Sequence, residues 1–386
     1  MSSVGCWDLF CRVVDNYGDA GVCWRLARQL ASEHHLNVRL WIDDIAPLAA
    51  MAPDVNPSAV SQRASGVEVV LWENPFPETD VADVVIEAFA CELPASYLGA
   101  MANRATPPVW INLEYLSAEE WVEGCHLGQS PQSGTGLSKT FFFPGFTERT
   151  GGLLRERELP FNRSQEWEAS FPMPEPPTGD SLIPGDLARD ELLVSLFCYD
   201  NPRLVEWLDV WASGSQPLRL VVPPGPAMTS ISRWLDEPLY PGDHISERSL
   251  SIEAIQFLSQ QDYDKLLAWC DVNFVRGEDS FVRAQWACRP FLWQAYPQAE
   301  SAHFAKVDAF LSRFLGSAPD ELARTVGRAS RFWNGFADSG DPEQVWSAFR
   351  SSGREIARWG KVWADRLDRA GDLANNLVRF ANERRS

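Results

Sequence analysis

The sequence predicts an α/β protein built from two parallel-sheet domains, followed by a helical tail. Three observations predict it. Short apolar runs alternate with helix-spaced segments as far as Leu113, a proline-rich stretch then breaks all periodicity, and the alternation restarts at Leu192 before giving way to helix alone. Parallel strands need crossover connections, so this alternation implies sheets covered by helices. The 386 residues suffice for two domains, since one usually takes about 100–200 residues.

The elements follow in order. Trp7 to Val14 is mostly apolar and reads as a buried strand. After a glycine turn, Val22, Leu26 and Leu30 stand at helical spacing within a helix from about Gly21 to Glu33. Leu36 to Ile42, Val67 to Leu71, Val84 to Ile86 and Val109 to Leu113 read as strands, and Leu93 to Asn103 as a helix. Pro172, Pro174, Pro176, Pro177, Gly179 and Pro184 mark a linker. Beyond it the expected strands are Leu192 to Phe197, Leu218 to Val222, Val272 to Val275 and Phe291 to Ala295. The expected helices are Arg203 to Ala212, Met228 to Leu235, Asp262 to Cys270 and Ser280 to Ala287. From Ser301 the chain reads as helix, with Trp333, Trp346, Trp359 and Trp363 as anchors. The expected boundaries are an N-terminal domain at 1–171 completed by helices at about 342–386, a linker at 172–190, and a C-terminal domain at 191–341.

Composition narrows the function. A formal net charge of −19 argues against general nucleic-acid binding, which requires phosphate neutralisation. The eight cysteines form no CxxC pair and no Cys/His cluster with metal-ligand spacing. They fit reduced thiols in a cytoplasmic protein. No signal peptide and no apolar run of membrane-spanning length are visible, so no membrane partner is expected. The five histidines, His126 beside Cys125 among them, form no triad and read as structural or surface residues.

Chemistry concentrates at strand ends, where doubly wound sheets bind ligands. Asp15-Asn16-Tyr17-Gly18-Asp19 follows the first strand. It lacks GxGxxG, and its two acids would repel a pyrophosphate, so it suits a cationic or proton-donating acceptor. The same acids can also cap the helix. In Arg276-Gly277-Glu278-Asp279-Ser280 a strand again meets a helix. Arg276, Ser280 and the helix N-terminus suit an anion, while Glu278 and Asp279 can accept from hydroxyls or serve as ordinary first-turn acids. Phe257 and Gln260 lie in a pre-helix loop able to hold a flat base, although Phe257 fits a core equally well. Tyr199 and Asn201 end another strand at the same edge, with capping as the alternative for Asn201. In Lys139 to Leu154 the triple phenylalanine reads as packing and Thr150-Gly151-Gly152 as a flexible segment able to line a cleft.

At Phe10 to Ala31 (FCRVVDNYGDAGVCWRLARQLA), Ile111 to His126, Lys139 to Glu156 and Asn273 to Ala287 the sequence closely resembles the bacterial elongation factor P arginine rhamnosyltransferases, the EarP family. The likeness spans nearly the full chain. It implies the GT-B glycosyltransferase fold, two facing Rossmann-like domains, and inverting transfer of rhamnose from dTDP-β-L-rhamnose to one arginine of elongation factor P. Modified factor P then relieves ribosome stalling at proline runs. No metal is expected. By position, the resemblance implies that Asp19 is the catalytic carboxylate, Asp15 its essential neighbour and Glu278 a third functional acid near the donor. Phe257 and Gln260 would contact thymine, Tyr199, Arg276 and Ser280 the pyrophosphate, and Asp279 the nucleotide; Asn201 joins this donor group by its place. Where the family usually has proline before the glutamine of the base loop, Ser259 stands here, which implies a less rigid loop. The alternative is a GT-B transferase or epimerase using another nucleotide sugar.

Overall fold

The computed structural model describes residues 5–15, 17–159, 191–298 and 302–385. The chain divides into two compact units, Met1–Arg157 with Arg366–Ser386, and Glu158–Asp365. The expected linker at 172–190 lies outside the described residues.

The first unit runs β1 (Cys6–Cys11), α1 (Tyr17–His34), β2 (Asn37–Ile42), α2 (Ala46–Met51), β3 (Ser61–Ala64), β4 (Val67–Leu71), β5 (Val84–Ala88), α3 (Ala95–Ala102), β6 (Val109–Leu113), α4 (Trp121–Cys125), β7 (Gln129–Pro131) and β8 (Ser138–Phe142). The sheet order is β3-β4-β2-β1-β5-β6-β8-β7. Its inner strands are parallel, and β3 and β7 close the two edges antiparallel. These edge strands escaped the sequence reading because they are three or four residues long and mostly polar.

The second unit runs β9 (Leu192–Leu196), α5 (Arg203–Ser213), β10 (Leu218–Val222), α6 (Pro226–Leu235), β11 (His244–Glu247), β12 (Leu250–Ala254), α7 (Gln260–Trp269), β13 (Val272–Arg276), α8 (Asp279–Ala287), β14 (Phe291–Gln294), α9 (His303–Leu315), α10 (Asp320–Trp333), α11 (Pro342–Ser351) and α12 (Gly353–Arg369). Its sheet order is β11-β12-β10-β9-β13-β14, parallel except for β11. Helix α13 (Leu373–Arg385) belongs to the first unit.

In both sheets the first strand in sequence pairs on either side with a later one, so the direction of winding reverses beside it. The reversal falls between β1 and β5 in one sheet and between β9 and β13 in the other. Crossovers on either side leave the chain there to opposite faces, which opens a crevice at the carboxyl ends of those strands. The acidic turn follows β1, the Tyr199 segment follows β9, and the Arg276 turn follows β13.

A buried acid of the first sheet is paired. Asp8, fully buried in β1, takes a two-pronged contact from Arg39 at 2.6 and 2.7 Å and a hydrogen bond from the Tyr97 hydroxyl. Burial and Asp8 together push the Tyr97 hydroxyl's pKa upward. An unpaired charge at that depth would cost several kcal/mol.

The chain returns to the first unit at Arg366, later than the expected 342. Tryptophan packing explains the delay. Trp346 of α11 lies against Trp207 and Trp211 of α5, and Trp363 of α12 against Phe314, with its indole N–H on Gln285 at 2.8 Å. After Arg366 the partners change. Gln29 of α1 bonds Asp372 and the Arg155 carbonyl at 3.0 and 2.9 Å, Asn376 bonds the Gly151 carbonyl at 3.0 Å, and Phe380 meets Phe142. The expected flexible Thr150-Gly151-Gly152 segment is therefore buried packing. Gly152 sits at φ 76, and a side chain there would strike the Gly371 carbonyl.

Trp207, 0% exposed, contacts the rings of Trp211, Phe274, Phe332, Trp333 and Trp346 at 5.0–6.0 Å. Trp207→Ala is expected to destabilise the chain by about 3–5 kcal/mol, a large-to-small core loss. Urea unfolding measures this, and a loss within ordinary surface-substitution scatter contradicts the central role of the ring.

Candidate functional site

In the first unit the strand ends early for a visible reason. The N–H of Val13 goes to Asp43 at 2.8 Å, and the N–H groups of Val14 and Asp15 go to one oxygen of Asp19, Oδ2, at 2.9 and 2.8 Å. With three successive amides taken by side chains, β1 stops at Cys11 rather than continuing to Val14. Helix α1 starts at Tyr17, four residues ahead of the expected Gly21, so Asp19 lies in its first turn. The Gly18 N–H bonds the Asp15 carbonyl at 2.6 Å, and a Cβ on Gly18 would stand 2.7 Å from the Asp15 carboxylate. Asp19 is only 2% exposed, and its second oxygen, Oδ1, accepts from the Tyr115 hydroxyl at 3.2 Å. The capping and site readings of this turn are thus compatible: one carboxylate oxygen holds the backbone and the other is turned toward a side chain.

Sequence reasoning missed Tyr115. It follows β6, and its ring stacks on Phe89, which follows β5, at 4.3 Å and 12°. Tyr115 lies in the segment INLEYL, within the family resemblance, but nothing local ties it to an aspartate 96 residues away.

In the second unit Arg276 ends β13 with its guanidinium between two rings, 4.4 Å from Phe197 and 4.5 Å from Tyr199. Stacking of this kind orients a planar cation. The Ser280 hydroxyl donates to the Arg276 carbonyl and accepts the Arg276 N–H at 3.1 Å, closing the turn around Gly277, whose φ is 62. Glu278 takes the position before α8, and its side chain makes no capping bond. Asp279 opens the helix and receives the Gln260 amide at 3.2 Å. Fully buried Arg283 lies 3.9 Å from Asp279 and 4.0 Å from Asp264. The main-chain amides of a first helical turn have no intrahelical partner and, with the helix dipole, favour an anion.

Tyr199, Arg276, Ser280, Asp279 and Gln260 thus form one connected group, with half-buried Phe257 three residues before Gln260. Asn201 is placed differently. Its amide donates to the Trp333 carbonyl at 2.9 Å and accepts the Arg203 N–H at 3.0 Å, so it ties the strand end to α10 and to the first residue of α5. Ser259 takes over the expected proline's work: its φ is −60, a value a proline ring would fix, and its hydroxyl accepts the Asp262 N–H at 3.1 Å as the cap of α7.

Residues 7–382 match the protein family described as elongation factor P (EF-P) rhamnosyltransferase EarP. The chain belongs to the EarP family. It is a glycosyltransferase. A protein-arginine rhamnosyltransferase of Pseudomonas putida is 48% identical over 380 residues, covering 97% of this chain and 98% of the relative. A solved structure that explains EarP-mediated arginine glycosylation of translation elongation factor EF-P is 35% identical, with a TM-score of 0.66, covering 98% of this chain and 99% of the other. The kitacinnamycin glycosyltransferase matches at 14% identity and a TM-score of 0.52, over 99% of this chain and 100% of the other. That likeness speaks for the fold alone, which is GT-B.

All eight cysteines are free, and burial pushes the Cys198 thiol up to about 12. No group of three or more His, Cys, Asp or Glu that could hold a metal occurs among the described residues. No helix among them is long and apolar enough to cross a membrane. His126 accepts the Phe143 N–H through Nδ1 at 3.1 Å, and burial lowers its pKa from 6.5 to about 4. The unfolded chain therefore binds this proton first. The contribution of His126 to stability is complete above 6.5 and is lost as the pH falls from there toward 4. His126→Asn, whose amide oxygen can accept the same N–H, is expected to flatten the acid loss of melting temperature over that window; curves parallel to the parent's contradict it.

Proposed function

We propose that the protein is an inverting protein-arginine rhamnosyltransferase that moves L-rhamnose from dTDP-β-L-rhamnose to one arginine of elongation factor P, and so supports translation through proline runs. The observation that carries the chemistry is the fixed carboxylate of Asp19, with one oxygen committed to two main-chain amides and the other turned toward Tyr115. Membership of the EarP family supports the choice of acceptor and sugar. A translation factor as acceptor supports a cytoplasmic protein.

A guanidinium is a poor nucleophile, because its pKa lies above about 12 and its lone pairs are delocalised. Asp19 and Asp15 together hold the cation and localise its charge away from the reacting nitrogen. That nitrogen attacks the anomeric carbon opposite the diphosphate. The new C–N bond forms as the C–O bond to the diphosphate breaks, the leaving dTDP keeps the electron pair, and Asp19 takes the proton. Attack from the opposite face turns a β donor into an α product. Arg276, locked between Phe197 and Tyr199, and the N-terminus of α8 with Ser280 supply the positive field for the departing diphosphate. This scheme assigns no step to a metal. Phe257 and Gln260 hold the base, Asp279 the nucleotide, and Glu278 stands near the sugar. Asn201 acts indirectly, by fixing the strand end that carries Tyr199.

Incubation with factor P and dTDP-β-L-rhamnose, followed by mass spectrometry, is expected to show a gain of one deoxyhexose; an unmodified factor overturns the reading. Asp19→Asn should lower turnover about 10²–10⁴-fold, the usual worth of a positioned base, with dTDP affinity intact. Near-parent turnover would falsify the role of Asp19. Arg276→Lys keeps the charge but loses the planar stack, and should weaken dTDP binding about tenfold. Calorimetry with dTDP, UDP and GDP measures this effect and ranks the donors; equal affinity for all three favours another nucleotide sugar.

A further inference from the structure

The loop after β5 is strained where it has no local need to be. Phe89, Ala90 and Glu92 all adopt left-handed backbone conformations, with φ of 55, 53 and 55. For a bulky residue such as phenylalanine this region is an outlier, and strain of this kind persists only when its surroundings enforce it. They do so here. The Phe89 N–H bonds the Leu113 carbonyl at 2.7 Å, the Cys91 N–H bonds the Ala88 carbonyl at 3.1 Å, and the Glu92 N–H bonds Glu87 at 3.2 Å. Glu87 is itself buried and held by Lys139 at 3.2 Å and Trp110 at 3.1 Å. What the loop presents is the Phe89 ring, stacked on Tyr115. Tyr115 is 45% exposed, so its placement owes little to burial.

We infer that Tyr115, clamped by Phe89, is a positioning residue: its hydroxyl holds Oδ1 of Asp19 in the orientation that receives the acceptor guanidinium. The inference rests on the assignment of Asp19 as the group that engages the acceptor. The amides of Val14 and Asp15 engage Oδ2 alone. The Tyr115 hydroxyl engages Oδ1, so the plane of the carboxylate is held at both oxygens. Each contact comes from a different carboxyl end: the amides from β1, the hydroxyl from β6, and the ring that steadies it from β5. These three ends are neighbours in the sheet, with β5 between the other two, and they flank the point where the winding reverses. The strain at Phe89 is then the cost of holding a ring where no ordinary turn would put one.

The test uses the full chain with factor P and dTDP-β-L-rhamnose. Tyr115→Phe removes one oxygen and keeps the stack. It is expected to lower kcat about tenfold, the worth of one oriented hydrogen bond, while the KM for the donor and the melting temperature stay at parent values. Phe89→Leu keeps the hydroxyl, loses the stack, and should move kcat the same way. In an Asp19→Asn background, followed by mass spectrometry over long incubations, Tyr115→Phe should cause no further loss, because a residue that acts through Asp19 has nothing left to orient. Parent-like kcat in Tyr115→Phe, or a full additional loss in the Asp19→Asn background, overturns the inference. A parent protein that adds no sugar to factor P overturns the functional reading itself and this inference with it.

Discussion

The Asp19 carboxylate reaches backward across four residues to collect the main-chain amides of Val14 and Asp15. Everything at the ligand edge of the first unit depends on that contact. It ends β1, lets α1 begin at Tyr17, and holds Asp15 close over Gly18, where a side chain would leave the aspartate no room. It also buries a charged group, and burial of a carboxylate is tolerable only when hydrogen bonds replace the lost water. Two amides and one phenol supply them. A group held this way pays no reorganisation cost when charge shifts beside it, which is the condition for a strong electrostatic effect in catalysis.

The second unit repeats the topology with the opposite sign of charge. Both sheets reverse their winding beside their first strand. In one the crevice-forming ends carry aspartates, in the other an arginine flanked by aromatic rings and a helix N-terminus. The division suits the cationic acceptor and anionic leaving group proposed above. The supporting residues differ to match. Backbone amides suit a carboxylate, which only accepts, whereas flat rings suit a guanidinium, which only donates and stacks. Gln260 on Asp279 and Arg283 near Asp264 join α7 and α8.

The α/β class, the turns that matter and the inner strands other than β12 were legible from sequence. Val109 to Leu113 and Leu218 to Val222 were legible to the residue, because parallel strands covered on both faces are mostly apolar, with one polar residue in each, Asn112 and Arg219. The acids at Asp15 and Asp19 and the arginine at Arg276 were legible because strand, glycine and helix follow one another within a few positions. The short edge strands β3, β7 and β11 were not, since exposed edges carry no burial pattern.

What those residues touch depends on partners far away in the chain. Asp19 reaches back to Val14 and Asp15 within one turn, but Tyr115 arrives from 96 residues away and Phe89 from a neighbouring strand. Asn201 stands at a strand end, and its amide bonds the Trp333 carbonyl, 132 residues distant. The return of the chain at Arg366 likewise follows from which aromatic rings meet in the core. Local pattern encodes burial and turning, which depend on the nearest few residues. Pairings across a sheet depend on strand order, and no short stretch of sequence contains it.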